Sequence, residues 1–436
     1  MNRLGPLSAF AIALLLIPAW AAQDAQEGIC PKFNQCKEAE SKDKVSCPKC
    51  DKSKISKGFA FCASCAKKDE VCARCGLPKT ARARPARPPS ESKKHAAAIK
   101  KALDFLAGKQ EANGRIPGAT WKLRYVPSDA HLTDVMTSAL AGLAFLANGS
   151  TMKEGPYSQH LAKIRGYLDE RVKDVLQNNS AKIGAGGGPV YSAAFSLHFF
   201  VHLYEQGRSA ADKDVVTSLV QFVSKAMGGE VGVSTWKKGA DTGTVWFVSG
   251  VTALVNSCII ALTRAKAAGF AVQDTVFGLA KKYYASIADP DGSFKYDQHN
   301  MFPEEPRPGR SIATVFALLG MGVPLEKEFK AQLEYARRNV ANTMSHHTPS
   351  LHMTICAFAF YALGRKEWDS YVPLMYDKLV ARQKEDGSLD KIWDVPKELR
   401  MTPNDMDFGP TYATANFAMI LQVPERRVRL QAVERE

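Results

Sequence analysis

From His95 onward, apolar and polar positions along the chain fall into two helical patterns. One is amphipathic, with apolar residues three or four apart and charges between them, as at Leu161, Ile164 and Leu168. The other is apolar almost all round, with Ala, Ser, Thr and Phe in place of charges, as in Thr411-Tyr-Ala-Thr-Ala-Asn-Phe-Ala-Met-Ile-Leu421. The first pattern predicts helices near 95–110, 157–176, 211–227, 272–288, 325–342 and 367–384. The second predicts helices near 130–147, 190–206, 244–268, 309–321, 350–364 and 409–421. A helix with no polar face belongs inside, so each pair reads as an outer helix followed by a buried inner one. Six such hairpins recur at intervals of about 56 residues. Closed on itself, this plan is an all-α (α/α)6 toroid over residues 95–425, followed by a charged tail at 426–436. Left unclosed, it is an open solenoid of hairpins.

Three of the turns that follow outer helices share a pattern: Gln110-Glu-Ala-Asn-Gly114-Arg-Ile116, Ala288-Asp-Pro-Asp-Gly292-Ser-Phe294 and Gln383-Lys-Glu-Asp-Gly387-Ser-Leu389. Glycine there ends a helix in a left-handed conformation, Asp or Asn caps the turn, and the apolar residue re-enters the core. These segments resemble the Q-x-x-D-G-S-W repeat of the squalene cyclase and protein prenyltransferase toroids, with Ile116, Phe294 or Leu389 where that family has Trp. The resemblance covers residues 95–425 and implies the closed toroid. Its chemistry does not carry over. Asp405-Met-Asp407-Phe408 departs from the cyclase D-x-D-D motif at its last acidic position. Thr354-Ile355-Cys356 lacks the Asp that pairs with Cys in a prenyltransferase zinc site, and a complement-type Gly-Cys-Gly-Glu-Gln thioester is missing.

The first 94 residues are built differently. Residues 1–22 read as an export signal: Arg3, an apolar stretch from Leu7 to Trp20, and the small-x-small pattern Ala19-Trp20-Ala21. An uncleaved anchor is the alternative for this segment, and no other apolar run is long enough to span a membrane. The chain is therefore expected to be exported, periplasmic or secreted. Residues 23–76 hold eight of the 10 cysteines: Cys30 and Cys36, then the C-x-x-C pairs Cys47/Cys50, Cys62/Cys65 and Cys72/Cys75. Such pairs point two thiolates at one tetrahedral metal, so eight sulfurs suit two structural zinc ions. The segment is small and lysine-rich, and needs a metal or disulfides to fold. Cys47 to Gly76 resembles the C-terminal half of the cysteine-rich PDZ-binding protein family, which implies a zinc-binding structural module. The spacing between Cys30 and Cys36 departs from that family, and its PDZ-binding C-terminus is missing. An oxidising compartment favours the other reading, a disulfide framework. A protein partner for this module is one expectation.

Charge narrows the partners. Of the formal +14, +7 falls in residues 76–101, mostly in the Pro-rich linker at 77–94, and only +3 is spread over the 335 residues after Lys101. The toroid is nearly neutral, so nucleic acid is not expected there.

All six outer-to-inner loops of a toroid reach one rim. Their polar and aromatic residues are His131, Asp134, Tyr191, Asp241, Trp246, Glu304, Glu305, Arg307, Arg310, His346, His347, His352, Asp405, Asp407 and Tyr412. Convergent carboxylates, imidazoles and aromatics at a concavity define a candidate ligand site. Asp405, Asp407 and His352 are the candidate catalytic groups, and His131, Asp134, Tyr191, Asp241, Trp246, Arg310 and Tyr412 the candidate binding groups. The ligand classes that suit such a rim are a small molecule, an isoprenoid or a glycan. Three function classes stay open: a ligand-binding toroid without the family's catalytic motifs, an (α/α)6 glycosidase or polysaccharide lyase, and a non-catalytic scaffold. His198 and His202, without the Glu of an H-E-x-x-H site, read as packing residues, as do the apolar-flanked Cys258 and Cys356.

Overall fold

The computed structural model describes residues 44–46, 54–56, 90–118, 131–177, 188–228, 251–298, 307–343, 349–392 and 404–431. Two compact units divide the chain, 1–86 and 87–436.

In the first unit, β1 (Lys44–Ser46) pairs antiparallel with β2 (Lys54–Ser56), in the register Lys44 to Ser56, Val45 to Ile55 and Ser46 to Lys54. The eight clustered cysteines and the proposed signal segment lie outside the described residues.

The second unit is a ring of helical hairpins. The outer helices are α1 (Ser90–Gly108), α3 (Ser158–Gln177), α5 (Ala210–Gly228), α7 (Asp274–Ile287), the broken pair α9 (Leu325–Glu328) and α10 (Lys330–Arg338), and α12 (Arg365–Val380). The inner helices are α2 (His131–Ala147), α4 (Gly188–Gly207), α6 (Thr252–Ala267), α8 (Pro308–Gly320), α11 (Pro349–Leu363) and α13 (Asn404–Leu421). Each inner helix packs on the next, and α13 packs back on α2. That last contact closes the ring and excludes the open solenoid.

Burial follows the two patterns. In α3, Leu161, Ile164, Leu168 and Val172 are buried while Lys163, Glu170 and Lys173 face solvent. In α6 every residue from Thr252 to Ala265 is buried. Inner helices then need their polar groups satisfied by one another. Asn256 Nδ2 donates to Thr314 Oγ1 across α6 and α8 at 3.0 Å, and Thr354 Oγ1 donates to Asn416 Oδ1 across α11 and α13 at 2.7 Å.

Two helices carry a break. The fifth outer helix breaks at Phe329, whose dihedrals (φ −137°, ψ 43°) leave the helical region as its ring is buried. The sixth inner helix breaks at Gly409 (φ 84°, ψ 173°), and its regular part begins at Pro410, a residue suited to the first helical position. The first helix begins at Ser90, inside the segment expected to be linker.

The C-terminus corrects one expectation. Residues 426–431 are no free charged tail: Val428, Leu430 and Gln431 are buried. From Gln422 onward the chain forms a strap over the C-terminal ends of inner helices and bonds to main-chain carbonyls there. Gln422 Nε2 donates to Ala144 O (3.1 Å), Arg427 Nη1 to Asn148 O (2.6 Å) and Gln431 Nε2 to Phe316 O (2.5 Å). Among the described residues, no helix is long and apolar enough to cross a membrane.

Candidate functional site

The rim is organised by the three glycine turns. Gly114, Gly292 and Gly387 have φ of +93°, +91° and +89°, and a Cβ on each would strike the carbonyl of Lys163, Ala331 or Lys101 on the next outer helix. Only glycine meets both conditions. In each turn the Asn or Asp before the glycine accepts the backbone N–H two residues on: Arg115 to Asn113 (3.0 Å), Ser293 to Asp291 (2.7 Å) and Ser388 to Asp386 (3.0 Å). These hydrogen bonds contribute to holding the Asp291 and Asp386 carboxyls below the usual carboxylate range; burial opposes them at both, most strongly at Asp291. The re-entering apolar residue then hands its own N–H to a hydroxyl of the inner helix. Ile116 donates to Ser138, Phe294 to Ser311 and Leu389 to Thr414, each at 2.9 Å.

Each turn thus delivers the chain to the first turn of an inner helix, where several candidate residues sit. Asp134, fully buried, receives the Gly118 N–H at 2.6 Å and forms an ion pair with Arg115 Nε at 2.9 Å. Arg310, 2% exposed, donates from Nε to Phe294 O at 3.2 Å and lies over the Tyr296 ring at 5.6 Å. Tyr191, half-buried in the first turn of α4, has its hydroxyl pushed upward by burial, with Tyr296 and Cys258 close enough to add to the effect. His352 and Tyr412 are buried in the first turns of α11 and of the regular part of α13, and Tyr412 stacks edge-on against Phe408 at 4.9 Å.

The fold therefore brings Tyr191, Tyr296 and Arg310 together from α4, the segment after the Gly292 turn and α8. Asp134 and the Arg310 Nε are engaged in holding the entering chain. His131, Asp405 and Asp407 belong to described helices, but their side chains lie outside the described residues. Asp241, Trp246, Glu304, Glu305, His346 and His347 lie outside them altogether. Among the described residues, no three His, Cys, Asp or Glu side chains gather closely enough to hold a metal ion.

Sequence reading missed Tyr296 and two first-turn threonines. Thr252 N–H donates to Tyr296 O at 2.9 Å, and its hydroxyl lies 2.7 Å from the same carbonyl while Tyr283 OH stands 3.1 Å away. Thr411 Oγ1 donates to Pro117 O at 2.5 Å. The shared signal is a Thr in the first turn of the preceding inner helix, which fixes the entering loop of the next hairpin.

No protein-family model matches the chain, and no curated protein matches its sequence. Solved structures do match its fold. A cellobiose 2-epimerase from Bacillus thermoamylovorans superposes with a TM-score of 0.51 at 14% identity, over 77% of this chain and 100% of that one. An inactive variant of an alpha-1,6-mannanase from Salegentibacter, in complex with alpha-1,6-mannotetrose, gives 0.50 at 9% identity, over 76% and 98%. A type II terpene cyclase from Scytonema gives 0.47 at 12% identity, over 77% and 99%. The epimerase and mannanase similarities establish the α/α toroid.

Proposed function

We propose that this is an exported protein whose toroid binds a glycan at the rim formed by the first turns of its inner helices. The observation that carries the reading is the meeting of Tyr191, Tyr296 and Arg310 from three separate elements, with Tyr191 still partly exposed. Aromatic faces receive the C–H faces of a sugar ring, and a guanidinium next to them supplies donors for its hydroxyls. Two toroids that match at a TM-score of 0.50 or more are, by name, a cellobiose epimerase and a mannanase, which favours a glycan over an isoprenoid.

Asp405, Asp407 and His352 are the groups proposed for acid–base chemistry on a bound sugar. The zinc reading of the cysteine module is likewise a proposal. It rests on the spacing of the pairs Cys47/Cys50, Cys62/Cys65 and Cys72/Cys75, which suits tetrahedral thiolate coordination.

A glycan array probed with the full chain tests the function. Binding to at least one oligosaccharide, weakened by a paired Asp405→Ala, Asp407→Ala substitution, supports it. A folded protein that binds no glycan overturns it, and turnover of a prenyl diphosphate or squalene replaces it with isoprenoid chemistry.

A further inference from the structure

We propose that the C-terminal strap is an acid-sensitive latch on the end of the toroid opposite the rim, fastened through a neutral His202. The peptide flanked by Arg429 is gripped from two inner helices. The Arg429 N–H donates to His202 Nε2 of α4 at 3.0 Å, and the Arg429 carbonyl accepts from Arg264 Nε of α6 at 3.1 Å. His202 Nδ1 lies 2.7 Å from the His198 carbonyl, which can only accept. The ring proton therefore sits on Nδ1, and Nε2 offers its lone pair to the strap. Only the neutral imidazole satisfies both bonds.

A second proton on Nε2 would set N–H against N–H and bury a positive charge among other cations. The charged and titratable groups around this ring are His198 and Glu205 on α4, Arg264 on α6, Arg429 and Arg426 on the strap, and Tyr361 of α11 beside Arg429. Glu205, the one carboxylate among them, is already paired with Arg264. Burial, followed by these cations, holds His202 well below its usual range.

Opening the strap removes the N–H that Nε2 serves and admits water to the ring. An opened His202 then takes up a proton with an ordinary pKa of about 6.5, whereas the closed state refuses it. Closure is therefore independent of pH above that value. Below it, the ratio of closed to open strap falls about tenfold per pH unit.

Hydrogen exchange of the full chain between pH 7.5 and 5, corrected for intrinsic rates, reads the latch directly. Peptides spanning 422–431 should open roughly thirtyfold more at pH 5 than at pH 7.5, and at both pH values should stay less protected than peptides from α11, which exchange only on wider unfolding. A His202→Gln variant keeps an acceptor for Arg429 without a titrating group, and its strap should not respond to acid. A flat wild-type strap, a strap no less protected than α11, or an acid response that survives His202→Gln would overturn the proposal. If the variant does not fold, the wild-type profile decides: an acid response of a strap that opens ahead of α11 supports the latch, and a flat strap or one that opens only together with α11 rejects it.

Discussion

The side-chain amide of Gln383 donates to the main-chain carbonyl of Ala98, 285 positions earlier in the chain, at 2.9 Å. The same amide also donates to Gly387 O at 3.0 Å. One glutamine thus closes its own turn and ties the last outer helix to the first. Gln110 repeats the device, donating to Gly114 O (3.2 Å) and to His160 O (3.0 Å) on the next outer helix. In the fourth hairpin Ala288 stands where the glutamine would be, and the tie runs the other way: Gln332 Nε2 reaches back to Asp289 O at 3.4 Å.

Gln383→Ala removes both bonds at the ring closure. Each net hydrogen bond contributes about 0.5–1.5 kcal/mol. Urea unfolding should show a destabilisation of about 1–3 kcal/mol, with Gln332→Ala costing less because its bond is longer. Equal stability of Gln383→Ala and wild type would mean that closure rests on the helix packing alone.

Gly387→Ala combines a left-handed backbone with a Cβ placed against Lys101 O. The conformational cost alone is about 1–2 kcal/mol, and the contact is with backbone that cannot swing away. A loss of more than about 2 kcal/mol is expected by thermal or urea unfolding. At Gly278, where an added Cβ meets nothing within 4 Å, Ala should be neutral or stabilising by a few tenths of a kcal/mol.

His198 is buried, its Nδ1 has no hydrogen-bond partner among the described residues, and burial pushes its pKa down to about 3. The folded state therefore rejects a proton that the unfolded chain accepts near pH 6.5. Its contribution to stability is fully present above pH 6.5 and is lost as pH falls toward 3. His198→Phe should be no worse than wild type at pH 7, since an unsatisfied polar atom is removed, and should flatten the decline of Tm between pH 6.5 and 4. An unchanged slope would place the acid sensitivity elsewhere.

Protein purified without chelator should carry one to two zinc ions per chain, bound by Cys47, Cys50, Cys62, Cys65, Cys72 and Cys75, with Cys30 and Cys36 completing a second site. Metal analysis paired with intact mass separates the readings. Eight oxidised thiols and no metal would establish a disulfide framework.

The toroid was legible because its two helix types bury different fractions of their surface, so the sequence of α3 reads differently from that of α6. The glycine turns were legible because φ near +90° against a neighbouring carbonyl admits only one residue. The ties between turn and inner helix were not. Ile116, Phe294 and Leu389 reach their hydroxyl partners at separations of 22, 17 and 25 residues, so no fixed spacing marks Ser138, Ser311 or Thr414. Asp134 and Arg310 were visible as rim residues, but the bonds that hold the entering chain to them depend on loop paths that no local pattern encodes. The strap escaped notice for a related reason. Its arginines read as a solvated tail, whereas Arg427 caps a helix end and the Arg429 peptide is clamped by His202 and Arg264.

Binding of a sugar at the rim is tested most directly by calorimetric titration of the full chain and its Tyr191→Ala variant with cello-oligosaccharides and alpha-1,6-mannotetrose. Tyr191 is the partly exposed member of the Tyr191, Tyr296 and Arg310 cluster, so its replacement can remove a stacking face and leave the core intact. Saturable binding to the wild type, weakened roughly 2–12-fold in the variant for the loss of about 0.5–1.5 kcal/mol of aromatic contact, is the predicted result. No heat of binding with either sugar class, or equal affinity in the two proteins, would contradict a glycan site at this rim.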